Sequence, residues 1–385
     1  MASQVVIARC WDYREKEVYT AVSRAIDLIG GMGRFIKPGQ RVLIKPNLLS
    51  AKPPELAVTT HPMVVKATIE LVKKAGGFPF IGDSPAMGSL YRVAEGSGVL
   101  RVVQETGAGL EPFEESLEVT PLPGSTFKKV EVARKPLEAD VIINLPKIKT
   151  HSGMLLTLSV KNLFGCVVGR KKTQWHLMAG VDRDSFATML VELYQLLRPS
   201  LTIVDGVVGM EGDGPGSGDP RRLGLILAGP DSVSIDRVIC EVLGIDAGEL
   251  PTNRAAKKKG VGETDLSKIE ILGEALEGVK VHGFRLPHLV DLEGVRPFLK
   301  GFLKEALTAK PLEDRQKCTL CLVCAGACPP EVIFPEDGRL RFDYDRCIRC
   351  FCCLEVCPEG AMEIRQGWLL RLREALSHGL IIKGR

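Results

Sequence analysis

Nine of the twelve cysteines in the chain lie between Cys318 and Cys357. Eight of them write one pattern twice: Cys318, Cys321, Cys324 and Cys328 before Pro329, then Cys347, Cys350, Cys353 and Cys357 before Pro358. The copies are offset by 29 residues (318 to 347), which marks an internal duplication. Three thiolates on one short loop reach three corners of an iron–sulfur cube, and the fourth comes from the other half of a two-cluster arrangement. On that logic Cys357 completes the set Cys318, Cys321 and Cys324, and Cys328 completes Cys347, Cys350 and Cys353. The expected cofactors are two [4Fe–4S] clusters, and the expected chemistry is single-electron transfer. Structural zinc prefers separated CxxC pairs, often with histidine, and neither half contains a histidine. Cys352 stands outside the pattern and reads as a small packing residue.

Clustered thiols at ligand spacing argue for metal rather than disulfides, which need an oxidising compartment. The N-terminus lacks the charged and apolar regions of a signal peptide, and no apolar run is long enough to span a bilayer. The expected location is cytoplasmic. Lys+Arg and Asp+Glu nearly balance, leaving a net charge of +4. The basic runs Arg170–Lys172 and Lys257–Lys259 are too short for a nucleic-acid footprint and read as solvated faces or anion contacts. Residues 311–366 carry ten acidic side chains against seven basic ones, so a redox partner with a basic rim is expected there.

The elements that must position any further chemistry lie upstream. Residues 1–285 alternate short β-branched runs with amphipathic stretches, the signature of an α/β domain with a mainly parallel sheet covered by helices. Strands are expected at 4–8, 41–45, 78–82, 141–145, 201–204 and 223–228. Helices are expected at 18–29, 62–75, 183–197 and 232–243. A helical linker over 286–310 leads to a small α+β cluster module over 311–366. An amphipathic stretch and tail follow at 367–385, with Leu369, Leu370, Leu372 and Leu376 near one face.

Ligands of open α/β sheets bind beyond the carboxyl ends of the strands, and polar motifs recur at those ends. Lys45-Pro46-Asn47 follows the second strand; Thr60 or His61 caps the helix that Pro62 opens. Asp83 follows the third strand, Lys147, Lys149 and His151 the fourth, and Asp205 the fifth, ahead of a glycine-rich loop over 209–216. Each has a bland reading as a cap, turn or snorkelling side chain. Together they suggest one cleft for a small anionic ligand, with Lys45, His61, Lys147, Lys149 and His151 binding or protonating it. Asn47, Asp83, Lys161, Asn162 and Asp205 would hold or orient a cofactor. Cys166 reads as a buried thiol that becomes reactive only if Lys161, Arg170 or His176 approaches it. No Walker A loop and no correctly placed GxGxxG occurs, so the sequence supports no nucleotide site and leaves a further cofactor open.

The ordered set VLIKPN, TTHP, GDSP, LPKIKTH, VKNLFGC, DGVVGMEGDGP and DSVSID resembles the family called domain of unknown function 362 over residues 4–250, and residues 311–366 resemble bacterial two-cluster ferredoxins. The resemblance implies an iron–sulfur protein and supplies no substrate. Asp236, in DSVSID, reads by itself as a charge on a helix surface. Three functions fit. One is an oxidoreductase passing electrons between an external ferredoxin-like carrier and a ligand in the cleft. Another is an electron-transfer subunit that docks to a redox partner without its own active site. The third is a redox-sensing or cofactor-maturation protein.

Overall fold

The computed structural model describes residues 3–86, 88–127, 130–169, 171–179, 182–287 and 310–365. Most of the expected linker, the C-terminal stretch 367–385 and Arg170 lie outside them. The chain opens with β1 (Ser3–Arg9), α1 (Glu15–Asp27), β2 (Arg41–Pro46), α2 (Pro62–Lys74) and β3 (Phe78–Ile81). It continues through α3 (Leu90–Gly96), α4 (Val99–Thr106), β4 (Gly109–Leu110) and the hairpin β5 (Ser116–Val119) and β6 (Val130–Ala133). Then come α5 (Arg134–Glu138), β7 (Val141–Leu145), β8 (Lys147–His151), β9 (Leu155–Thr157), α6 (Ser159–Asn162), α7 (Lys171–Ala179) and α8 (Arg183–Leu197). The long hairpin β10 (Leu201–Glu211) and β11 (Asp219–Gly229), α9 (Ser232–Val242), α10 (Pro251–Lys259) and β12 (Ile269–Gly273) follow. None of the described helices is long and apolar enough to cross a membrane.

The main sheet runs β12-β1-β11-β10-β7-β2-β3-β4, with β8 and β9 attached beside β10. It is mostly parallel; β11 runs antiparallel to both of its neighbours, and β9 to β8. Side-chain alternation sorts the sheet into two faces. Val42 and Ile44 of β2 and Val141, Ile143 and Leu145 of β7 pack with α1, α2 and α4. Leu43 and Ile142 pack on the opposite face with α8 and α10. By the same alternation Lys45 and Asn144 follow Leu43 and Ile142, and the register sets them side by side.

Strand continues past two of the expected strand exits, and residues 209–211 of the expected loop belong to it. Residues 147–151 form a strand, because β8 pairs in parallel with β10 at Asp205 and turns back through β9. The chain from Asp205 does not enter a loop at once. It extends as strand to Glu211 and pairs with Asp219–Arg222 across an irregularity between Gly206 and Val208.

The cysteine module is built from two short antiparallel pairs. β13 (Lys310–Glu313) pairs with β16 (Met362–Arg365), and β14 (Ile333–Glu336) with β15 (Arg339–Phe342). The duplication is visible in the backbone: Leu320 and Leu322 of the first half and Arg349 and Phe351 of the second all have positive φ, again 29 residues apart (320 to 349). These left-handed residues flank Cys321 and Cys350 and turn each loop inward.

Candidate functional site

The eight patterned cysteines are free thiols, and they gather around two cavities. One is lined by Cys318, Cys321, Cys324 and Cys357, the other by Cys328, Cys347, Cys350 and Cys353. The last cysteine of each half thus crosses to the other half. Backbone N–H groups point at both crossing sulfurs: Val332 donates to Cys328 Sγ at 3.5 Å and Ala361 to Cys357 Sγ at 3.2 Å. Four soft donors around each apolar cavity, with amides aimed at sulfur, fit an iron–sulfur cube. The two sets differ in access: Cys321 is exposed, whereas Cys353 is buried.

A third cavity, of about 110 Å³, lies where the module meets the sheet domain. β2 brings Lys45 and the residue after it, Asn47; the end of β3 brings Asp83; β8 brings Lys149 and His151. Lys161 and Asn162 come from α6, and Lys172 and His176 from α7. The opposite wall is the short helix Cys352–Val356 of the module, which contributes Cys352 and Glu355.

Asn162 organises the floor. Its amide N–H donates to the Lys45 carbonyl at 3.2 Å and to Asn144 Oδ1 at 2.8 Å. Its Oδ1 accepts from Asn47 Nδ2 at 2.9 Å and Lys45 Nζ at 3.3 Å. Lys45 also pairs with Asp83 at 3.2 Å, both fully buried. Asp83 also accepts the backbone N–H groups of Leu48 on Oδ2 and Ser84 on Oδ1, so both carboxylate oxygens are engaged. Gly165 packs directly on this pair, and a Cβ there would overlap Asp83 Oδ1 and Lys45 Nζ. α6 is itself anchored by Asp236, which is buried rather than on a helix surface; it accepts the N–H groups of Ser159 at 2.8 Å and Val160 at 3.1 Å. Burial pushes this carboxyl up to about 7 against those hydrogen bonds.

One hydrogen bond between the two units joins His151 to Glu355, 2.7 Å from Nε2 to Oε1. His151 Nδ1 accepts the N–H groups of Gly153 and Met154, so the proton sits on Nε2 and donates to the carboxylate. Burial and the nearby lysines keep this imidazole neutral, lowered to about 4. Burial acts to raise Glu355, but the His151 hydrogen bond and the cations around it hold the carboxyl well below its ordinary range. Lys52 Nζ, donating to the Pro358 carbonyl at 2.7 Å, and Ala86, packed on the module's core, complete the contact.

Among the described residues, four ammonium groups and two imidazoles therefore face two carboxylates. Lys149 is fully buried and has one acceptor, the Val58 carbonyl at 2.7 Å; desolvation lowers it to about 7. Lys161 is half-buried over the Phe164 ring, 5.8 Å from its centroid, and is lowered mainly by desolvation. Lys172 reaches the carbonyls of Ser84 and Pro85 and is lowered to about 8, again chiefly by desolvation. His176 stacks on Phe186 at 4.4 Å and stands edge-on to Phe164. The buried atoms Thr157 Oγ1 and Asn47 Oδ1 have no hydrogen-bond partner, and both residues line the cavity.

Of the residues read from sequence as a ligand site, the structure brings together Lys45, Asn47, Asp83, Lys149, His151, Lys161 and Asn162. It places four elsewhere. Lys147 and Asp205 pair at 2.8 Å with no exposed surface, and Asp205 also accepts from Tyr13 OH and the His61 N–H. His61 caps α2, its Nδ1 accepting the Met63 N–H, and stacks on Tyr13 at 3.5 Å. Cys166 packs in the core behind the Lys45–Asp83 pair, where burial pushes its thiol up to about 12. Lys172, His176 and Glu355 enter the site without a strong sequence signal; Cys352 lines it rather than filling core space.

Residues 42–241 match the family described as Domain of unknown function (DUF362), and residues 310–358 match a 4Fe-4S dicluster domain. The Thylakoid-associated protein sll1697 of Synechocystis sp. is 39% identical over 290 residues, 75% of this chain and 89% of that protein. The Pyruvate synthase subunit PorD of Thermotoga maritima is 39% identical over 57 residues, 14% of this chain and 58% of that subunit. Among solved structures, the lactate racemase apoprotein from Thermoanaerobacterium thermosaccharolyticum is similar at 12% identity and a TM-score of 0.39. That match covers 60% of this chain and 54% of the racemase.

Proposed function

The chain belongs to the family described as Domain of unknown function (DUF362), joined to an iron–sulfur electron-transfer domain, and from that premise we propose an iron–sulfur oxidoreductase. It exchanges electrons between an external redox protein and a small anionic ligand in the interdomain cavity. One observation carries the reading: a single five-residue helix, Cys352–Val356, lines both kinds of site. Its Cys353 faces a four-cysteine cavity, and its Cys352 and Glu355 face the lysine cavity. We assign one [4Fe–4S] cluster to each four-cysteine set; bound there, the clusters supply one-electron chemistry.

The protein's own side chains do the rest. Exposed Cys321 and Leu322 mark the face for a redox partner, as befits a module similar to a pyruvate synthase subunit. The buried set containing Cys353 faces inward. Lys149, Lys161 and Lys172 attract and orient an anion. Glu355 and His151 hold the two units in register, so that the cavity keeps its module wall. A cytoplasmic setting belongs to the same proposal, and cell fractionation tests it against the thylakoid association for which the Synechocystis relative is named.

The similarity to a subunit of a larger enzyme favours a second reading, a carrier that only docks to a partner. One experiment separates the two. Anaerobically purified protein is reduced with dithionite, and its paramagnetic signals are followed after adding either the dialysable or the macromolecular fraction of a cell extract. Reoxidation by the dialysable fraction, slowed in Lys161→Gln, supports the oxidoreductase. Reoxidation by macromolecules alone supports the carrier. Bound zinc, or no reducible centre, sinks both.

A further inference from the structure

The cavity's charge is unbalanced in a way that specifies its ligand. Lys45 is matched by Asp83 at 3.2 Å, and among the described residues Glu355 is the only other carboxylate lining the space. Glu355 spends one oxygen on neutral His151. Lys149 and Lys161 thus depend chiefly on that one carboxylate, and Lys172 chiefly on Asp83, which is already paired with Lys45. Backbone carbonyls satisfy few of their donors, since an ammonium carries three N–H bonds and Lys149 has a single acceptor. Burying cations without counter-charge is costly. The fold accepts this at a place where the Thr157 hydroxyl also lacks a partner. Unmet donors and surplus positive charge around a space of about 110 Å³, room for several waters or one compact molecule, ask for an oxyanion.

We propose that the interdomain cavity is a binding site for a compact dianion, a phosphate group or a small dicarboxylate, held by Lys149, Lys161 and Lys172 with Thr157 as a neutral donor. A monoanion would leave one of the three ammonium groups uncompensated. A bulkier dianion would meet the wall formed by Cys352, Glu355 and Val356 of the module's short helix. The helix is held against the cavity by Glu355, so ligand size and the docking of the module are set by the same contact. The desolvated state of Lys149 and Lys172 agrees with this, since an arriving dianion would restore the charge that burial disfavours.

This rests on the reading that the cavity holds the electron acceptor, but it is tested at equilibrium with no electron transfer involved. Oxidised, anaerobically purified full-length protein is titrated calorimetrically with inorganic phosphate, malonate, acetate and acetamide. Phosphate or malonate should bind at least about tenfold more tightly than acetate, the equivalent of losing one charged contact, and acetamide should not bind. Which of the two dianions is tighter tells a phosphoryl ligand from a dicarboxylate. Lys161→Gln and Lys172→Gln should each weaken the dianion at least about tenfold with iron content unchanged. Lys161→Arg should retain it, and Lys257→Gln, on an exposed turn of α10, should have no effect. Equal affinity for acetate and the dianions, or lysine variants that bind as the parent does, would overturn the site. If anions fail to bind while dialysable extract still reoxidises the reduced protein, this inference falls and the oxidoreductase stands. If dianions bind and nothing dialysable is reduced, the reverse holds.

Discussion

A buried lysine can be paired, as Lys147 is with Asp205, or left to a neutral acceptor, as Lys149 is with the Val58 carbonyl. The difference sets how stability depends on pH. Desolvation holds Lys149 near 7 in the folded protein against an ordinary 10.5, helped by Lys161, Lys147 and Lys45 and opposed by Glu355. Below pH 7 both states carry the proton, and the folded state bears the full burial penalty. Between pH 7 and 10.5 the unfolded chain binds more protons, so the contribution of this group to stability rises with pH. The slope approaches about 1.4 kcal/mol per pH unit for one proton. Lys149→Met, similar in length and uncharged, should flatten the rise of the urea midpoint between pH 7 and 9, measured without added anions. Lys172 titrates in both proteins, so the difference between the curves isolates position 149. Parallel curves would mean that Lys149 keeps its charge in the fold. The same residues show what a sequence can reveal. Lys45 and Asp83 are legible because polar residues recur together at strand exits, and Asn162 because it lies in the dense motif VKNLFGC. Lys147 and Lys149 share a strand face by alternation, yet the irregular pairing of β8 with β10 between Asp205 and Met210 gives them different surroundings. No spacing rule encodes that irregularity.

Among the elements, β8 and the helix Cys352–Val356 carry the contact on which the site depends. β8 ends at His151, whose ring is fixed from both sides: Gly153 and Met154 donate to Nδ1, and Nε2 donates to Glu355. The carboxylate thereby orders a turn in the other unit. Glu355→Ala should remove a hydrogen bond to a charged group, worth about 1.5–3 kcal/mol. The amides of Gly153 and Met154 should then exchange with solvent roughly tenfold to a hundredfold faster, as loss of the bond lets the ring turn away. Exchange at those two positions unchanged from the parent would show that the ring is held by β8 and β9 alone. The variant should keep its iron, because Glu355 is not among the eight patterned cysteines. Such a contact was invisible in the sequence for a physical reason. Glu355 is two residues from a patterned cysteine and reads as part of the cluster module, while its partner lies 204 positions earlier. Lys172 and His176 were similarly hidden, since a short basic run before a tryptophan resembles any half-exposed helix. Local ligand loops and strand exits can be read from spacing; surfaces that meet across units cannot.

At the scale of the whole molecule, the duplicated cysteine pattern makes a wiring claim that spacing suggests and the cavities sharpen. Cys357 belongs to the second half by sequence, but it lines a cavity with Cys318, Cys321 and Cys324, while Cys328 lines the other with Cys347, Cys350 and Cys353. If each cavity holds one cluster, serine substitutions should sort by cavity and not by half. Cys357→Ser and Cys321→Ser should each lose about half the iron and the same paramagnetic signal, and Cys328→Ser and Cys350→Ser should lose the other. If Cys328→Ser instead resembled Cys321→Ser, each half would fold around its own cluster, and the crossing would be wrong. The same four variants test the direction in which the molecule is built. Among the described residues, only the set containing Cys350 and Cys353 has a cysteine within the helix that lines the lysine cavity, the other set reaching it at the cap, Cys357, so phosphate or malonate should perturb that signal and leave the signal of the exposed set unchanged. An anion in the cavity adds negative charge beside the inner centre, which favours its oxidised form and lowers its potential relative to the outer one. A ligand-induced shift in the outer signal, or in both equally, would place the anion somewhere other than the space between Lys161 and Cys352.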